Sequence, residues 1–434
     1  MAPDGISGKM SARTIFPRTR LDKMRWSWLR ARGFLARIFR NTEKLPGRLH
    51  LCDFVKVAPP TWKAPCGVNL VGYLKSEIGL GESCRILASG LEAAGESLAL
   101  LNIDLPGRRN QETGFNKENL QGAAIYDVNI LNIQPTELFF ALKKLGLSAL
   151  DGRYNIGFWL WELDEVPSFW RPAFGLFDEI WAPSDFVCQA IRRSTDLPVL
   201  NIPYFVTPLI APSCDRRSFE LPEGPFLFMV AADADSGPDR KNIMGAVEAY
   251  RRAFRSADDA VGLIVKIRNA TDDFLNSLKS ALKDYPNVHY FTETLDKPVF
   301  NALIKCADAF VSLHRSEGFG LVMAEAMALG TPVIATNWSS NTEFMTHDTA
   351  CLVDCQRVEI GKDWGPYRKG QLWAEPDLDQ ASAYMRRLVA DPDFTRRLAQ
   401  AASQHLHDNF GQKQMAQKIR NRLDQIRSSS RMQI

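Results

Sequence analysis

Two glutamates eight positions apart, Glu317 and Glu325, lie in the segment HRSEGFGLVMAEAMALGTPVIAT, residues 314–336. Leu321, Val322, Met323, Ala324, Ala326, Met327, Ala328 and Leu329 leave the stretch around Glu325 apolar on every face, the pattern of a buried helix. An ionised carboxylate there costs on the order of several kcal/mol unless it is paired, and the helix holds no Lys or Arg. Its partner is therefore elsewhere in the fold, or it is a ligand. A second group is Arg240 and Lys241, ahead of an amphipathic stretch with Ile243, Ala246, Val247, Tyr250 and Phe254. Two cations beside a helix start can clamp a diphosphate, because charge-assisted hydrogen bonds are roughly twice as strong as neutral ones. A solvated basic helix start is the competing reading. A third group is Phe158-Trp-Leu-Trp-Glu162-Leu-Asp-Glu-Val-Pro167-Ser-Phe-Trp170, three tryptophans and three carboxylates together. Aromatic faces suit sugar rings, and Glu162 could orient or deprotonate an acceptor hydroxyl. An aromatic cluster packed beneath a cleft fits the same residues.

These side chains need elements to hold them. Residues 308–314 predict a buried strand, Gly318-Phe-Gly320 a turn, residues 320–329 a helix ended by Gly330, and residues 331–336 another strand. That is half of a nucleotide-binding βαβ unit, whose free helix N–H groups favour an anion. Glu325, in the second helical turn, is near enough to that mouth to reach a ribose diol. Glu317, at the carboxyl end of a strand, faces the crevice where open α/β sheets bind ligands. Upstream, Gly67-Val-Asn-Leu-Val-Gly-Tyr predicts a strand leading through Gly79 and Gly81 into a helix over residues 83–94, then a strand over 97–102. That glycine loop could cradle a phosphate, although a tight packing turn needs the same residues. Further strands are predicted at 124–133, 154–160, 179–182, 225–232, 261–266 and 288–291, with a helix at 301–307. Strands alternating with helices give an α/β chain with doubly wound parallel sheets. Residues 208–224, rich in Pro, Arg and Ser and without periodicity, read as a linker.

A chain of 434 residues has room for two domains, and 45% hydrophobic with 24% charged residues excludes a disordered or collagen-like class. A net charge of +3 gives no argument for a nucleic-acid partner. No apolar run reaches the ~18–20 residues of a membrane span, and no secretory signal pattern is evident. Eight scattered cysteines without zinc spacing read as reduced thiols of a cytoplasmic protein. Residues 18–40 carry Arg20, Lys23, Arg25, Arg30, Arg32 and Arg37 against Asp22, with aromatic and apolar residues near helical spacing. The segment reads as an amphipathic helix for an anionic membrane surface; a packed solvated helix and a transit peptide are the alternatives.

The segment around Glu317 and Glu325 closely resembles the signature of the family-4 (group 1) glycosyltransferases, retaining enzymes of the GT-B fold, in which two Rossmann-like domains face across a cleft. Their E-x7-E matches without a gap inside SEGFGL…EAMALGTPVI. The resemblance implies that Glu317 contacts the donor sugar near the reacting carbon and Glu325 holds the ribose hydroxyls. It also implies that the backbone of Gly318, Phe319 and Gly320 approaches sugar and phosphate. Ser236-Gly-Pro-Asp-Arg240-Lys241-Asn242 looks like the family's S-x3-RKN element, whose lysine binds the leaving diphosphate. Gly79 and Gly81 match the loop lying over that diphosphate. Many members carry a histidine where this chain has Glu162, so acceptor activation departs from the family pattern. The pair Asp233-Ala-Asp235 spells a metal-binding D-x-D, yet the RKN element and E-x7-E point to a scheme without metal or other cofactor.

The resulting expectation has a basic N-terminal extension (1–48), an acceptor-side domain (49–207), a linker (208–224), a donor-binding domain (225–404) and a C-terminal helix (405–434) crossing back. The expected partners are a nucleotide sugar donor and a glycan or lipid-linked acceptor, in polysaccharide biosynthesis. Glu317, Lys241, Arg240 and Glu162 are the catalytic candidates. A non-transferring GT-B protein, either an epimerase or a degenerate binding subunit, is the rival reading.

Overall fold

The computed structural model describes residues 57–104 and 120–431, so the amphipathic segment 18–40 and Cys52 lie outside the described residues. The first lobe runs β1 (Val68–Gly72), α1 (Gly79–Ala93), β2 (Leu98–Asn102), β3 (Val128–Asn132), α2 (Leu138–Leu145), β4 (Tyr154–Phe158), α3 (Arg171–Phe174), β5 (Glu179–Ala182), α4 (Asp185–Arg192) and β6 (Val199–Asn201). Its six strands lie in the order β2-β1-β3-β4-β5-β6, every pair parallel. The strands are buried along nearly their whole length, as crossover helices on a parallel sheet require. Register is reinforced by Asn69, Asn129 and Asn155, side by side on β1, β3 and β4. Asn69 donates to Asn129 at 2.9 Å and Asn129 to Asn155 at 2.7 Å, so buried amides satisfy one another.

The second lobe runs β7 (Phe226–Asp233), α5 (Pro238–Lys241), α6 (Ile243–Ala253), β8 (Val261–Arg268), α7 (Asp272–Ala281), β9 (Val288–Phe291), α8 (Lys297–Cys306), β10 (Ala309–Ser312), α9 (Leu321–Ala328), β11 (Val333–Thr336) and β12 (Cys351–Val353). Its parallel order is β12-β11-β10-β7-β8-β9. An antiparallel hairpin, β13 (Cys355–Glu359) and β14 (Leu372–Pro376), stands apart from this sheet, and α10 (Leu378–Ala390), α11 (Pro392–Asn409) and α12 (Gln412–Arg431) complete the chain. Phe158, Tyr204, Phe319, Phe344 and Phe410 form a run of ring contacts, with centroids 4.9–6.0 Å apart, from the first sheet into the second lobe. The two lobes thus share apolar contact.

The helix expected at 83–94 begins at Gly79, so the glycines belong to its first turn rather than to a preceding loop. The basic C-terminal stretch expected as one helix from residue 405 is two helices, broken at Phe410 and Gly411. It also has a core face: Met415, Ile419, Leu423 and Ile426 are buried at helical spacing, and α12 packs on α1 of the first lobe. Its cations are partly used there, Arg427 pairing with Glu96 at 2.8 Å and Arg422 with the buried Glu179.

Candidate functional site

In the second sheet β7 and β10 are neighbours although the chain visits β8 and β9 between them, so their carboxyl ends form its switch point, the place where open α/β sheets bind ligands. Arg240 and Lys241 follow β7 on α5, and Glu317 follows β10. Lys241 Nζ donates to Glu317 Oε1 at 2.5 Å, and Arg240 Nη1 lies 3.3 Å from that oxygen. Glu162, beyond β4 of the first lobe, brings Oε1 within 3.8 Å of Arg240 Nη2. Four side chains scattered over 156 positions of sequence therefore form one cluster between the lobes. Burial alone would raise the Glu317 carboxyl, but Lys241, Arg240 and His314 outweigh it and hold it at about 2. Glu317 is thus ionised at neutral pH although only 8% exposed.

The two cations do not play one part. Arg240 is buried, donates to the carbonyls of Ser316 at 2.7 Å and Ser236 at 3.0 Å, and faces two carboxylates. Burial opposes its charge, yet Tyr367, Glu317 and Glu162 hold it protonated. Its charge is spent inside the cluster, which leaves Lys241, with a quarter of its side chain accessible, as the cation able to turn to an anion. Of the two cations read in the sequence as a pair, Lys241 is partly accessible and Arg240 is buried.

Glu325 is buried on α9, and its partner is Lys297 at the start of α8, 2.6 Å from Oε2. The charge absent from its own helix comes from the preceding one. Burial nevertheless raises its carboxyl, against Lys297 and with added repulsion from Glu82 on α1. Gly318, Phe319 and Gly320 have duties besides any approach to sugar. A Cβ on Gly318 would come within 3.1 Å of the Trp161 carbonyl, so this glycine lets the lobes meet. The Phe319 ring is core. Gly320 caps α9 at φ +91°, a conformation that L side chains rarely adopt. At Gly81 a Cβ would lie 2.0 Å from the Ser76 carbonyl, which makes it a packing glycine; Gly79 faces open space. Asp233 of the D-x-D pair is bound by Arg268 at 2.5 Å and Asn269 at 2.8 Å.

Other residues enter the site that the sequence did not single out. Tyr367, between β13 and β14, donates to Glu162 Oε2 at 3.0 Å, and its ring centroid lies 5.5 Å from that of Trp161. Arg357 on β13 pairs with Asp164 at 2.7 Å, so the hairpin touches the tryptophan-rich segment twice. Ser339, in the left-handed region at φ +68°, accepts from the Glu317 amide at 2.9 Å, while Ser340 donates to the Glu317 carbonyl at 2.8 Å. A strained non-glycine residue persists only where its surroundings hold it, and here the hydrogen bond to the Glu317 amide does so. His314 is buried with both ring nitrogens unpartnered, and burial pushes its imidazole down to about 4, so it is neutral at pH 7.

Residues 216–405 match the family described as glycosyl transferases group 1. Trehalose synthase of Rubrobacter xylanophilus is 24% identical over 278 residues, which are 58% of this chain and 60% of that protein. The chain thus spans about three-fifths of the curated relative it matches. Among solved structures, sucrose-phosphate synthase of Thermosynechococcus elongatus superposes with a TM-score of 0.62 at 15% identity, over 83% of this chain and 99% of that one. HepE of Anabaena, solved with UDP and glucose, gives 0.58 at 16% identity, over 83% and 100%. These likenesses establish the fold, two parallel-sheet lobes of GT-B type.

Proposed function

We propose that this chain, whose residues 216–405 are a group 1 glycosyltransferase domain within a GT-B fold, moves a hexose from a nucleoside diphosphate sugar to a hydroxyl with retention of configuration. The observation that carries the reading is Glu317, buried and ionised at the switch point of the second sheet, with Lys241 on its carboxylate. A buried charge pair between the two lobes suits a ligand that brings a sugar to the carboxylate and a diphosphate to the lysine. In the free protein Lys241 neutralises Glu317. When donor binds, the ammonium turns to the diphosphate and Arg240 remains as the counter-charge of Glu317 at 3.3 Å. Charge grows on the departing diphosphate in the transition state, so this contact accelerates the reaction rather than merely tightening binding.

Glu317 orients the hexose, mannose or a relative, and Glu325 receives the ribose hydroxyls. The N-terminus of α1 at Gly79 faces the diphosphate. The acceptor hydroxyl lies on the first-lobe side near Glu162, whose carboxylate is fixed by Tyr367 and Arg240. Contact of the Trp161 backbone with Gly318 expels water that would otherwise hydrolyse the donor. No described helix is long and apolar enough to cross a membrane. Residues 18–40 support an anionic membrane surface as the workplace, and a glycan or lipid-linked acceptor in polysaccharide assembly.

The experiment is nucleotide release from UDP-glucose and GDP-mannose, with and without a polyprenyl-phosphate-linked glycan, and with the anomeric configuration of the product read by NMR. Acceptor-dependent release and a retained anomer are expected. Release with neither donor, or inversion, contradicts the reading.

A further inference from the structure

The element that holds Lys241, α5, is one turn of four residues between Gly237 and Asn242, which is left-handed at φ +51°. A single turn has no intrinsic stability in water, so something outside must set its position. Arg315 does so. Its amide donates to the Arg240 carbonyl at 2.7 Å and its Nη1 to the Asp239 carbonyl at 2.5 Å, which satisfies two carbonyls at the end of that turn. Arg315 is held in its own place from the far side. Nε and Nη2 form a two-pronged pair with Glu375 on β14, at 2.7 and 3.0 Å. The guanidinium lies 5.2 Å from the Trp373 ring centroid, and the Ala374 amide donates to the Arg315 carbonyl at 2.9 Å.

We propose that Arg315 and Glu375 form a brace that positions Lys241 for the donor diphosphate, an inference that rests on the reading of Lys241 as the diphosphate ligand. Arg315 is treated as a positioning residue rather than a phosphate ligand, because each of its three nitrogens already donates to Glu375 or Asp239 and one face rests towards Trp373. The pair is exposed on its Glu375 side, so its own contribution to stability is modest. What it supplies is geometry: a planar fork bonded on two sides has one orientation, and a lysine cannot reproduce it. The brace also gives a role to the Trp373-Ala-Glu375 strand, which belongs to neither parallel sheet.

The test is calorimetric titration of the full chain with UDP and GDP, alongside melting temperature. Glu375→Gln and Arg315→Lys should each weaken the better nucleotide about tenfold, as loss of a supporting contact to a ligand-binding group does. In a Lys241→Met background Glu375→Gln should weaken binding less than twofold further, since the group it positions is gone. Wild-type affinity in both brace variants, with Lys241→Met impaired, overturns the brace alone. An undiminished tenfold loss from Glu375→Gln in the Lys241→Met background also overturns it, because the effect then does not pass through Lys241. Wild-type affinity in Lys241→Met overturns the diphosphate reading and the brace with it.

Discussion

Lys241→Met removes the accessible cation of the site while keeping a side chain of similar length. Two effects separate. In the free protein Glu317 loses a 2.5 Å charge-assisted hydrogen bond but keeps Arg240 at 3.3 Å. Breaking a fully buried ion pair costs about 3–5 kcal/mol. Lys241 is a quarter exposed and one counter-charge survives, so screening reduces the expected loss to about 1–2 kcal/mol. In the reaction the departing diphosphate loses its cation. Removing one such preorganised contact lowers kcat by roughly 10²–10³-fold. KM for the intact donor should change less than kcat, because the terminal phosphate takes on its full charge only as the sugar leaves, the state that free UDP and GDP resemble. The assay is nucleotide release at saturating donor, with a melting curve to show that the protein is folded. A folded variant whose kcat stays within threefold of wild type refutes the assignment of Lys241 to the leaving group.

Four further outcomes are expected. Glu317 titrates in the folded protein at about 2 instead of the ordinary 4.5, so its ionised form contributes stability above pH 4.5 that disappears as pH falls towards 2. The contribution is on the order of 3 kcal/mol, and Glu317→Gln should flatten that part of the stability–pH curve; an unchanged curve counts against it. Gly318→Ala places a methyl 3.1 Å from the Trp161 carbonyl and should lower kcat about tenfold through incomplete closure, with nucleotide affinity within twofold of wild type; equal activity would show that the lobes need not meet there. Lys297→Met should destabilise the fold by about 1–3 kcal/mol at pH 7 and less at lower pH, where Glu325 takes up a proton. Adding Glu325→Gln should recover most of that loss, and simple additivity of the two changes would deny their pairing. Removal of residues 1–48 should abolish sedimentation with phosphatidylserine vesicles, and unchanged sedimentation would exclude the amphipathic segment as the membrane contact.

The sequence made the strand–turn–helix around Glu317 legible because glycine turns and continuous apolar runs leave local marks. Strand β5 at residues 179–182 and strand β9 at 288–291 were readable for the same reason. Partnerships were not. The apolar neighbours of Glu325 show that it is buried, but its charge partner Lys297 lies 28 residues away on another helix, where no periodicity points to it. Tyr367 sits in a turn-rich loop, and nothing local distinguishes it from other loop tyrosines; only the hairpin brings it to Glu162, 205 residues distant. Arg240 and Lys241 are adjacent and alike in charge, so their division into a buried and an accessible cation needs the carbonyls of Ser236 and Ser316 in space. Gly79 and Gly81 show the converse problem. A phosphate-facing glycine and a packing glycine have the same letter, and nothing local shows that a Cβ at Gly81 would meet the Ser76 carbonyl.

The most direct measurement is a crystal structure of the chain with an intact nucleoside diphosphate hexose or its fluorinated analogue bound. The account predicts the ligand at the carboxyl ends of β7 and β10, with the Lys241 ammonium moved from Glu317 onto the diphosphate, Glu317 on the hexose and Glu325 on the ribose. A nucleotide bound elsewhere, or Lys241 still on Glu317 beside a bound diphosphate, would contradict it.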